Sequence, residues 1–418
     1  MPTGECRKTG LVFRMKRQVL IVGAGPAGMA AALSAAEAGA DVALLERRPK
    51  PGKKLLATGN GRCNLAHRGE PVYFGDPAFA GSVMAQVSPD VLSRRFADWG
   101  LPLYTDPEGR VYPATQQAST VLSVLTARLR AAGVKLETGT DAAEAAYLQD
   151  RYIIVTADGR RYAGDRLVLA TGGLAGGALG NRREDYALSE HFGHRITSLS
   201  AGLVPLECAL GRLKKLSGLR VPARVTLLDS ATMIARTAGE VLFTDYGLSG
   251  ICVMQLARDA QALLSAGRKP ELRLDLSPVW FTETRAYCRD PEPVPDAKQK
   301  TLVLLRERER RFGRKDLLTG LLPDTLIGVC PAGSPEQLAG FLTALPLEVI
   351  GVRPFSQAQI TCGGIDTAQV DPATLGSRVS PGLFLAGELL NVDGDCGGYN
   401  LQFAFATGLI AGRNAALQ

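Results

Sequence analysis

Residues 17–48, RQVLIVGAGPAGMAAALSAAEAGADVALLERR, contain the pattern that decides the fold of this chain. An apolar run at 18–22 predicts a buried parallel strand, and the glycine motif GAGPAG follows at 23–28. Small residues after the motif predict a helix, and a second apolar run at 41–45 ends in Glu46. Strand, glycine turn, helix, strand and terminal acid in this register predict a Rossmann βαβ unit that binds a dinucleotide.

Each conspicuous residue of this unit has a predicted role. Gly23 allows the tight turn, Gly25 lets the backbone approach a pyrophosphate, and Gly28 lets the helix pack closely on the strand. The helix that begins at Pro26–Ala27 offers N–H groups and a positive dipole end to the phosphates. Glu46 can accept hydrogen bonds from the ribose hydroxyls, and it would repel a 2′-phosphate.

Two further segments indicate which dinucleotide is bound. Residues 165–173, DRLVLATGG, form an apolar strand that runs into a Thr-Gly-Gly turn, and residues 381–412 form a strand, an acid, a glycine pair and a helix. A nicotinamide dehydrogenase with one Rossmann unit needs neither segment. The three segments together resemble flavoproteins of the glutathione-reductase-like superfamily. This resemblance implies an α/β fold with a discontinuous Rossmann domain and FAD as the ligand.

Further motifs lie along the chain: GKK at 52–54, TGNGRCN at 58–64, FT at 243–244, GLSG at 247–250, RPF at 353–355, GG at 363–364, AGE at 386–388 and VDGDCGGYN at 392–400. With these motifs the chain resembles the HI0933-like (BaiN/YhiN) family of NAD(P)/FAD-dependent, aminoacetone-oxidase-like flavoproteins. Two positions depart from the family pattern, since Asp245 stands where relatives commonly carry His and Ile251 replaces a usual Pro.

The motifs and the resemblance define a predicted cofactor site, built from both ends and the middle of the chain. Its chemistry belongs to the flavin, so no catalytic acid or base is assigned, and Cys63, Tyr246 and Tyr399 are the candidates for the cleft. The predicted cofactor-binding residues are Gly23, Gly25, Pro26, Ala27, Gly28, Glu46, Arg47, Lys54, Gly61, Arg62, Cys63, Asn64, Ala142, Thr171, Gly172, Gly387, Glu388, Asp393, Gly397, Gly398, Tyr399, Asn400 and Leu401.

Two interpretations are open for several of these residues. Cys63 and Cys396 are either a redox pair or a nucleophile, or they are small packing residues near a flat ring, and we favour packing because buried Cys usually acts as a small hydrophobe. Arg62 either neutralises an anion or is an exposed loop cation. Tyr399 either contacts flavin or substrate, or is a buried aromatic residue with a satisfied hydroxyl.

The chain has three histidines, His67, His191 and His194. None has a spacing that indicates a catalytic base, so we predict structural or exposed positions for all three.

The motif positions predict the domain organisation. The cofactor domain is expected at 16–196 and 353–418, because the FAD site needs both the N-terminal Rossmann half and the C-terminal strand and helix. The segment between them is then an insertion. The insertion is expected to have a β-rich substrate subdomain at 197–276 and a small helical subdomain at 277–352. Strand patterns lie at 223–228 and 239–243, and helix patterns lie at 299–311 and 316–322.

Composition restricts the class of protein. A chain of 418 residues exceeds the usual size of one core, so two or three domains are expected. The 8 cysteines lack CxxC or zinc-type spacing, which argues against a disulfide framework and a metal site. The first 16 residues have no signal-peptide core and no run reaches membrane-span length, so we expect a cytoplasmic protein. The net charge of +7 is dispersed, and RERERR at 306–311 mixes both signs, so nucleic-acid binding is not favoured.

These observations predict an FAD-dependent oxidoreductase that exchanges a hydride between flavin N5 and a small organic substrate at a CH–CH or CH–NH bond. Oxygen or NAD(P)H would be the partner redox couple. No second GxGxxG motif is present, so NAD(P)H would have to dock transiently in the cleft or on the insertion. The alternatives are an RNA-modifying flavoprotein and a non-catalytic flavin-binding electron carrier. The substrate and the oligomeric state are left open.

Overall fold

The computed structural model describes residues 16–177, 182–277, 288–289, 291 and 295–418. The strands are β1 (Gln18–Val22), β2 (Asp41–Glu46), β3 (Ala66–His67), β4 (Tyr73–Gly75), β5 (Leu103–Thr105), β6 (Arg110–Pro113), β7 (Lys135–Thr138), β8 (Ala142–Leu148), β9 (Arg151–Thr156), β10 (Arg161–Gly164), β11 (Arg166–Leu169), β12 (Ser200–Gly202), β13 (Leu206–Cys208), β14 (Arg220–Asp229), β15 (Thr232–Phe243), β16 (Gly247–Ser249), β17 (Pro270–Asp275), β18 (Cys288–Arg289), β19 (Leu345–Val352), β20 (Ile360–Cys362), β21 (Leu383–Leu385) and β22 (Val392–Gly394). The α-helices are α1 (Pro26–Glu37), α2 (Lys53–Ala57), α3 (Pro77–Gln86), α4 (Pro89–Asp98), α5 (Ala118–Ala131), α6 (Ala187–His191), α7 (Ile251–Met254), α8 (Ala257–Ser265), α9 (Ala297–Phe312), α10 (Asp324–Ile327), α11 (Pro335–Thr343) and α12 (Tyr399–Leu417).

A parallel sheet of five strands in the order β21-β11-β1-β2-β7 forms the centre of the cofactor domain. The strands β1 and β2 are paired from Gln18 beside Asp41 to Val22 beside Leu45, as the apolar runs predict. The N-terminal βαβ unit, the ATGG strand and the C-terminal strand therefore lie side by side. This arrangement confirms the predicted Rossmann-type α/β fold.

The first and last helices pack against each other at backbone distance. A Cβ atom added to Gly408 of α12 would lie 2.2 Å from the carbonyl oxygen of Ala27, and one added to Gly412 would lie 2.1 Å from that of Ala31. Both pairs ascend in residue number, so α1 and α12 run in the same direction. The small residues of the GAGPAG helix thus bring two helix N-termini to one edge of the sheet. Among the described residues, no helix is both long and apolar enough to cross a membrane.

The insertion is built around an antiparallel sheet in the order β14-β17-β19-β13-β16-β15-β18, with a further pairing of β14 with β15. That pairing closes the sheet into a small barrel, which lies largely in the region predicted to be β-rich. Its apolar core, which includes Val225, Leu227 and Phe243, is separate from the core of the Rossmann domain.

The region predicted to be helical, 277–352, is only partly so. The helix pattern at 299–311 lies within α9, but residues 316–322 are not an α-helix, and the short helix α10 follows instead. The end of the region is the strand β19, in which buried Leu345, Leu347 and Val349 alternate with exposed residues. This period of two is typical of a strand and not of the predicted helix. Residues 278–287, 290 and 292–294 lie outside the described part of the chain, and the domain boundaries stay predictions.

Candidate cofactor and substrate cavity

A cavity of about 820 Å³ lies at the carboxyl edge of the parallel sheet. Residues directly after β1, β2, β11 and β21 line it, for example Gly25, Arg47, Thr171 and Gly387. This position is where ligands bind in open α/β sheets, and the volume is at the upper end of the roughly 300–1,000 Å³ usual for ligand pockets. The three sequence segments that the motifs single out therefore meet at one site.

All but three of the residues predicted to bind the cofactor line this cavity. The exceptions are Gly28, Gly61 and Cys63. Gly28 is required by packing, because a Cβ atom there would lie 1.8 Å from the carbonyl oxygen of Gly23. Gly61 has a left-handed φ of 82°, which glycine adopts readily. Cys63 is fully buried behind the cavity wall.

Gly25 provides a test of whether a dinucleotide fits. Its φ of −80° and ψ of −173° are open to any residue, and an added Cβ atom would meet no protein atom within 4 Å. Gly23, in contrast, has a φ of 101° and no room for a Cβ atom beside Ala170. The protein thus needs glycine at 23 and 28 for its own packing. At position 25 a side chain would meet no protein atom and would extend only into the cavity. Such a cradle suits a pyrophosphate that approaches the backbone.

Two further features fit a flavin. The side-chain oxygen of Asn64 is buried without a hydrogen-bond partner, and Asn64 lines the cavity. The N-terminus of α12 also faces the cavity, where Asn400 and Leu401 present backbone N–H groups that have no partner within the helix. These groups would hold polar atoms of a bound ring. The side chain of Asn400 itself is used by the protein, since it pairs with both backbone groups of Gly394.

The two predicted acids differ in their surroundings. The carboxylate of Glu46 accepts the backbone N–H groups of Ala24 at 2.9 Å and Arg48 at 2.8 Å, which fixes its direction at the end of β2. The carboxylate of Glu388 accepts the N–H of Thr361 and pairs with Lys54 at 2.6 Å. The ion pair joins the GKK and AGE motifs across the cavity wall.

Two ion pairs connect the insertion to the C-terminal motif. Arg258 forms an ion pair with Asp393. The guanidinium of Arg289 donates two hydrogen bonds of 2.7 Å to the carboxylate oxygens of Asp395. Both guanidinium groups also lie over the ring of Phe74, at 5.3 and 5.0 Å from its centroid. Asp393 lines the cavity as predicted, but its carboxylate is engaged by Arg258. This cluster fixes the loop that precedes Gly397 and Gly398.

His67 is a functional candidate that the sequence analysis missed. Its ring stacks on that of Tyr399 at a centroid distance of 4.7 Å, and both residues line the cavity. The Tyr399 hydroxyl lies 3.1 Å from His67 Nδ1 and donates to the carbonyl oxygen of Glu70 at 2.9 Å. Burial raises the pKa of Tyr399 to about 12 and lowers that of His67 below its usual range, so both groups are neutral at pH 7. The position of His67 three residues after the GRCN motif was the available signal.

The remaining candidates are two cysteines, Tyr246 and Arg62. Burial raises the pKa of Cys63 to about 12 and that of Cys396 to about 11, which favours the packing interpretation over a reactive thiolate. Tyr246 is not among the residues that line the cavity, and its ring packs against the guanidinium of Arg353 at 4.3 Å. Arg62 is an exposed cation on the cavity rim, 5.0 Å from the ring of Tyr112.

The Rossmann sheet, the Gly25 cradle and the two helix N-termini define the class as a protein with a Rossmann-type FAD-binding domain. The family model described as HI0933-like protein Rossmann domain matches residues 17–414. The chain therefore belongs to the HI0933-like family of FAD-dependent oxidoreductases, which confirms the resemblance seen in its motifs.

Several relatives span nearly the whole chain. A 3-dehydro-bile acid delta(4,6)-reductase of Clostridium scindens is 36% identical, over 95% of this chain and 98% of its own length. A ribosomal RNA dihydrouridine synthase of Escherichia coli is 28% identical, over 93% of this chain and 95% of its own length. Among solved structures, a 3-ketosteroid-delta4-(5alpha)-dehydrogenase from Rhodococcus jostii aligns over 99% of both chains with 16% identity and a TM-score of 0.46.

Proposed function

We propose that this protein uses FAD to reduce a carbon–carbon double bond conjugated with a carbonyl group in a small organic substrate, with NAD(P)H as the electron donor. The observation that carries the proposal is the neutral Tyr399–His67 pair in the cavity wall, beside the N-terminus of α12. Reduction of such a bond needs a hydride at one carbon, a proton at the other, and stabilisation of charge on the carbonyl oxygen.

The relatives support this reaction class. Their names describe a reductase of a 3-dehydro-bile acid and a synthase of dihydrouridine in ribosomal RNA. Both names imply saturation of a carbon–carbon double bond that is conjugated with a carbonyl group. The substrates differ widely in size and polarity, so the shared element is the bond and not the molecule around it.

FAD, when bound, supplies the hydride transfer. The protein's part begins with Tyr399, whose hydroxyl keeps its proton at neutral pH. This hydroxyl would turn from the Glu70 carbonyl oxygen to donate its proton to the substrate carbon or to share it with the carbonyl oxygen of the substrate. His67 stacks on the Tyr399 ring and so fixes the position of that ring in the cavity wall. Its Nδ1 accepts the N–H of Gly69 at 2.8 Å, so the neutral ring carries its proton on Nε2. The N–H groups at the start of α12 stabilise negative charge nearby.

A second candidate function is reduction of uridine in RNA. The observation that favours it is the similarity to two ribosomal RNA dihydrouridine synthases, at 28% and 25% identity. Net charge of +7 is compatible with RNA binding, although the charges are dispersed along the sequence. The same Tyr399 and His67 would serve either substrate.

The test uses the holoenzyme, reduced anaerobically with NADPH or NADH and mixed with cyclohex-2-enone. We expect the oxidised flavin spectrum to return as cyclohexanone forms. Tyr399→Phe keeps the ring stack but removes the proton, so the rate should fall about 10²–10⁴-fold with FAD content unchanged. Tyr104→Phe, at an exposed tyrosine outside the cavity, is the matched control.

Failure of every enone to oxidise the reduced enzyme would contradict the proposal. Oxidation by a ribosomal RNA fragment alone would establish the second candidate instead. An unchanged rate in Tyr399→Phe would remove Tyr399 from the reaction while leaving the reaction class intact.

A further inference from the structure

We propose that Tyr112 is a further catalytic residue, whose hydroxyl donates a hydrogen bond to the carbonyl oxygen of the substrate and stabilises the negative charge that develops there. This inference rests on the proposed function and deepens it, because it leaves Tyr399 to protonate the substrate carbon. Tyr112 lies in β6 and lines the cavity.

The hydroxyl of Tyr112 differs from those of its neighbours in the cavity wall because the protein does not use it. Tyr73 donates to the carbonyl oxygen of Tyr399 at 3.2 Å, and Tyr399 donates to that of Glu70 at 2.9 Å. The Tyr112 hydroxyl forms no hydrogen bond with any described residue, although the residue is only 4% exposed. Nearly all polar groups at buried positions are hydrogen-bonded, so an unused donor in a cavity wall is available to a ligand.

The small sheet of β3, β6 and β5 places this hydroxyl near the Tyr399–His67 pair. In the ladder of β3 with β6, His67 lies opposite Arg110, and Tyr112 follows two residues later on the same face of β6. All three residues line the cavity. The ring of Tyr399 stacks on that of His67 from the C-terminal motif. One face of the sheet thus brings a second phenol hydroxyl to the part of the cavity where Tyr399 lies.

The charges around the Tyr112 ring favour a hydrogen bond to an oxyanion. The guanidinium of Arg62 lies 5.0 Å from the ring centroid and forms no ion pair with a described residue. Arg110, in contrast, is paired with Asp106 and Glu108. Burial raises the pKa of Tyr112, while the charges of Arg110 and Arg62 act in the opposite direction, so the hydroxyl keeps its proton at pH 7. Tyr112 is therefore a fixed neutral donor beside a positive charge, which suits the stabilisation of an oxyanion.

The two phenols have separate roles in a balanced reaction. A hydride reaches the β-carbon of the enone, the double bond shifts towards the carbonyl carbon, and the carbonyl oxygen gains the negative charge. Tyr112 stabilises this oxygen through its hydrogen bond and transfers no proton. The proton of Tyr399 forms the new C–H bond at the α-carbon as the carbonyl group is restored, and a proton from the solvent replaces it.

The first test measures turnover of cyclohex-2-enone by the holoenzyme. Tyr112→Phe should lower kcat about 10²–10³-fold with FAD content unchanged, as expected for the loss of one donor to an oxyanion. Tyr104→Phe is the matched control, because Tyr104 lies directly opposite Tyr112 in the ladder of β5 with β6 but is exposed and does not line the cavity. This control should leave kcat unchanged.

Binding of 4-nitrophenol to the oxidised holoenzyme tests the oxyanion site without turnover. Its phenolate resembles the charged oxygen of the reacting enone, and 4-nitroanisole is the matched ligand without an ionisable hydroxyl. The Kd for 4-nitrophenol, from the shift of the flavin absorbance, should fall as the pH rises towards the pKa of the free phenol. Tyr112→Phe should raise the Kd for the phenolate roughly ten- to hundredfold, as expected for a lost hydrogen bond to a charged group. The Kd for 4-nitroanisole should not change.

Either an unchanged kcat or an unchanged Kd for the phenolate in Tyr112→Phe would overturn the role of Tyr112. Loss of FAD from this variant would assign the hydroxyl to the cofactor and would overturn the role as well. If no enone is reduced, the proposed function fails, and the phenolate titration still decides whether Tyr112 binds an oxyanion.

Discussion

At the scale of single residues, the three glycines of the first turn differ in what requires them. Gly23 and Gly28 are enforced by contacts within the protein, since Cβ atoms there would lie 2.4 Å from the carbonyl oxygen of Ala170 and 1.8 Å from that of Gly23. No contact within the protein requires glycine at position 25. A motif that is uniform in sequence therefore separates into residues that serve the fold and a residue that serves the ligand.

This separation predicts opposite effects of two substitutions. Gly25→Ala should lower the affinity for FAD at least tenfold and leave the urea midpoint of the cofactor-free protein unchanged, because the methyl group enters only the ligand's space. Gly28→Ala should lower that midpoint, because its methyl group collides with the backbone. Isothermal titration and urea unfolding measure the two effects. Equal FAD affinity of Gly25→Ala and the wild type would place the pyrophosphate elsewhere.

His194 predicts part of the dependence of stability on pH. It is buried, with Nε2 at 2.9 Å from the hydroxyl of Ser377, and burial lowers its pKa from 6.5 to about 4. The folded state therefore disfavours protonation. Its contribution to stability is complete above pH 6.5 and is lost as the pH falls towards 4.

The measurement is the free energy of unfolding in urea between pH 7.5 and pH 4.5. We expect the loss on acidification to be smaller in His194→Gln than in the wild type, because the variant has no group to protonate at this position. Parallel curves for the two proteins would show that His194 titrates alike in the folded and unfolded states.

At the scale of elements, the contact between α1 and α12 fixes both helix N-termini at the cavity. Gly412→Ala would place a methyl group 2.1 Å from the Ala31 carbonyl oxygen, so the helices must separate and stability should fall by several kcal/mol. Gly81→Ala in α3 is the matched control, because a Cβ atom there meets nothing within 4 Å. That change should stabilise the protein by about 0.5–1 kcal/mol. Thermal unfolding of both variants measures these changes in stability. An unchanged stability of Gly412→Ala would disprove the tight contact between α1 and α12.

Elements with strong local signals were predictable. The strands β1 and β2 and the helix α1 follow from apolar runs and glycines in sequence, and the β-rich character of the insertion follows from the strand patterns at 223–228 and 239–243, which lie within β14 and β15. The strand β19 was not predicted, because its pairing partners β13 and β17 are distant in sequence. His67 was missed for a similar reason, since its partner Tyr399 lies over three hundred residues away.

At the scale of the whole molecule, the ion pairs of Arg258 and Arg289 couple the insertion to the cofactor loop. Asp393 is buried, and its pair with Arg258 crosses from α8 to β22. A double-mutant cycle of Arg258→Met and Asp393→Asn should give a coupling of roughly 1–3 kcal/mol. The control cycle at Arg220 and Glu240, an exposed pair within the barrel, should give less than about 0.5 kcal/mol. Equal couplings would mean that the pair between the domains adds no more than a surface contact.

The central claim is that the cavity at the sheet edge holds FAD, and identification of the released cofactor tests it most directly. The purified protein is denatured, and the supernatant is analysed by chromatography and mass spectrometry. The Gly25 cradle and the direction of the Glu46 carboxylate predict about one FAD per chain, because they are built for the adenosine and pyrophosphate half. Recovery of FMN alone, or of a colourless protein that does not take up added FAD, would contradict the account.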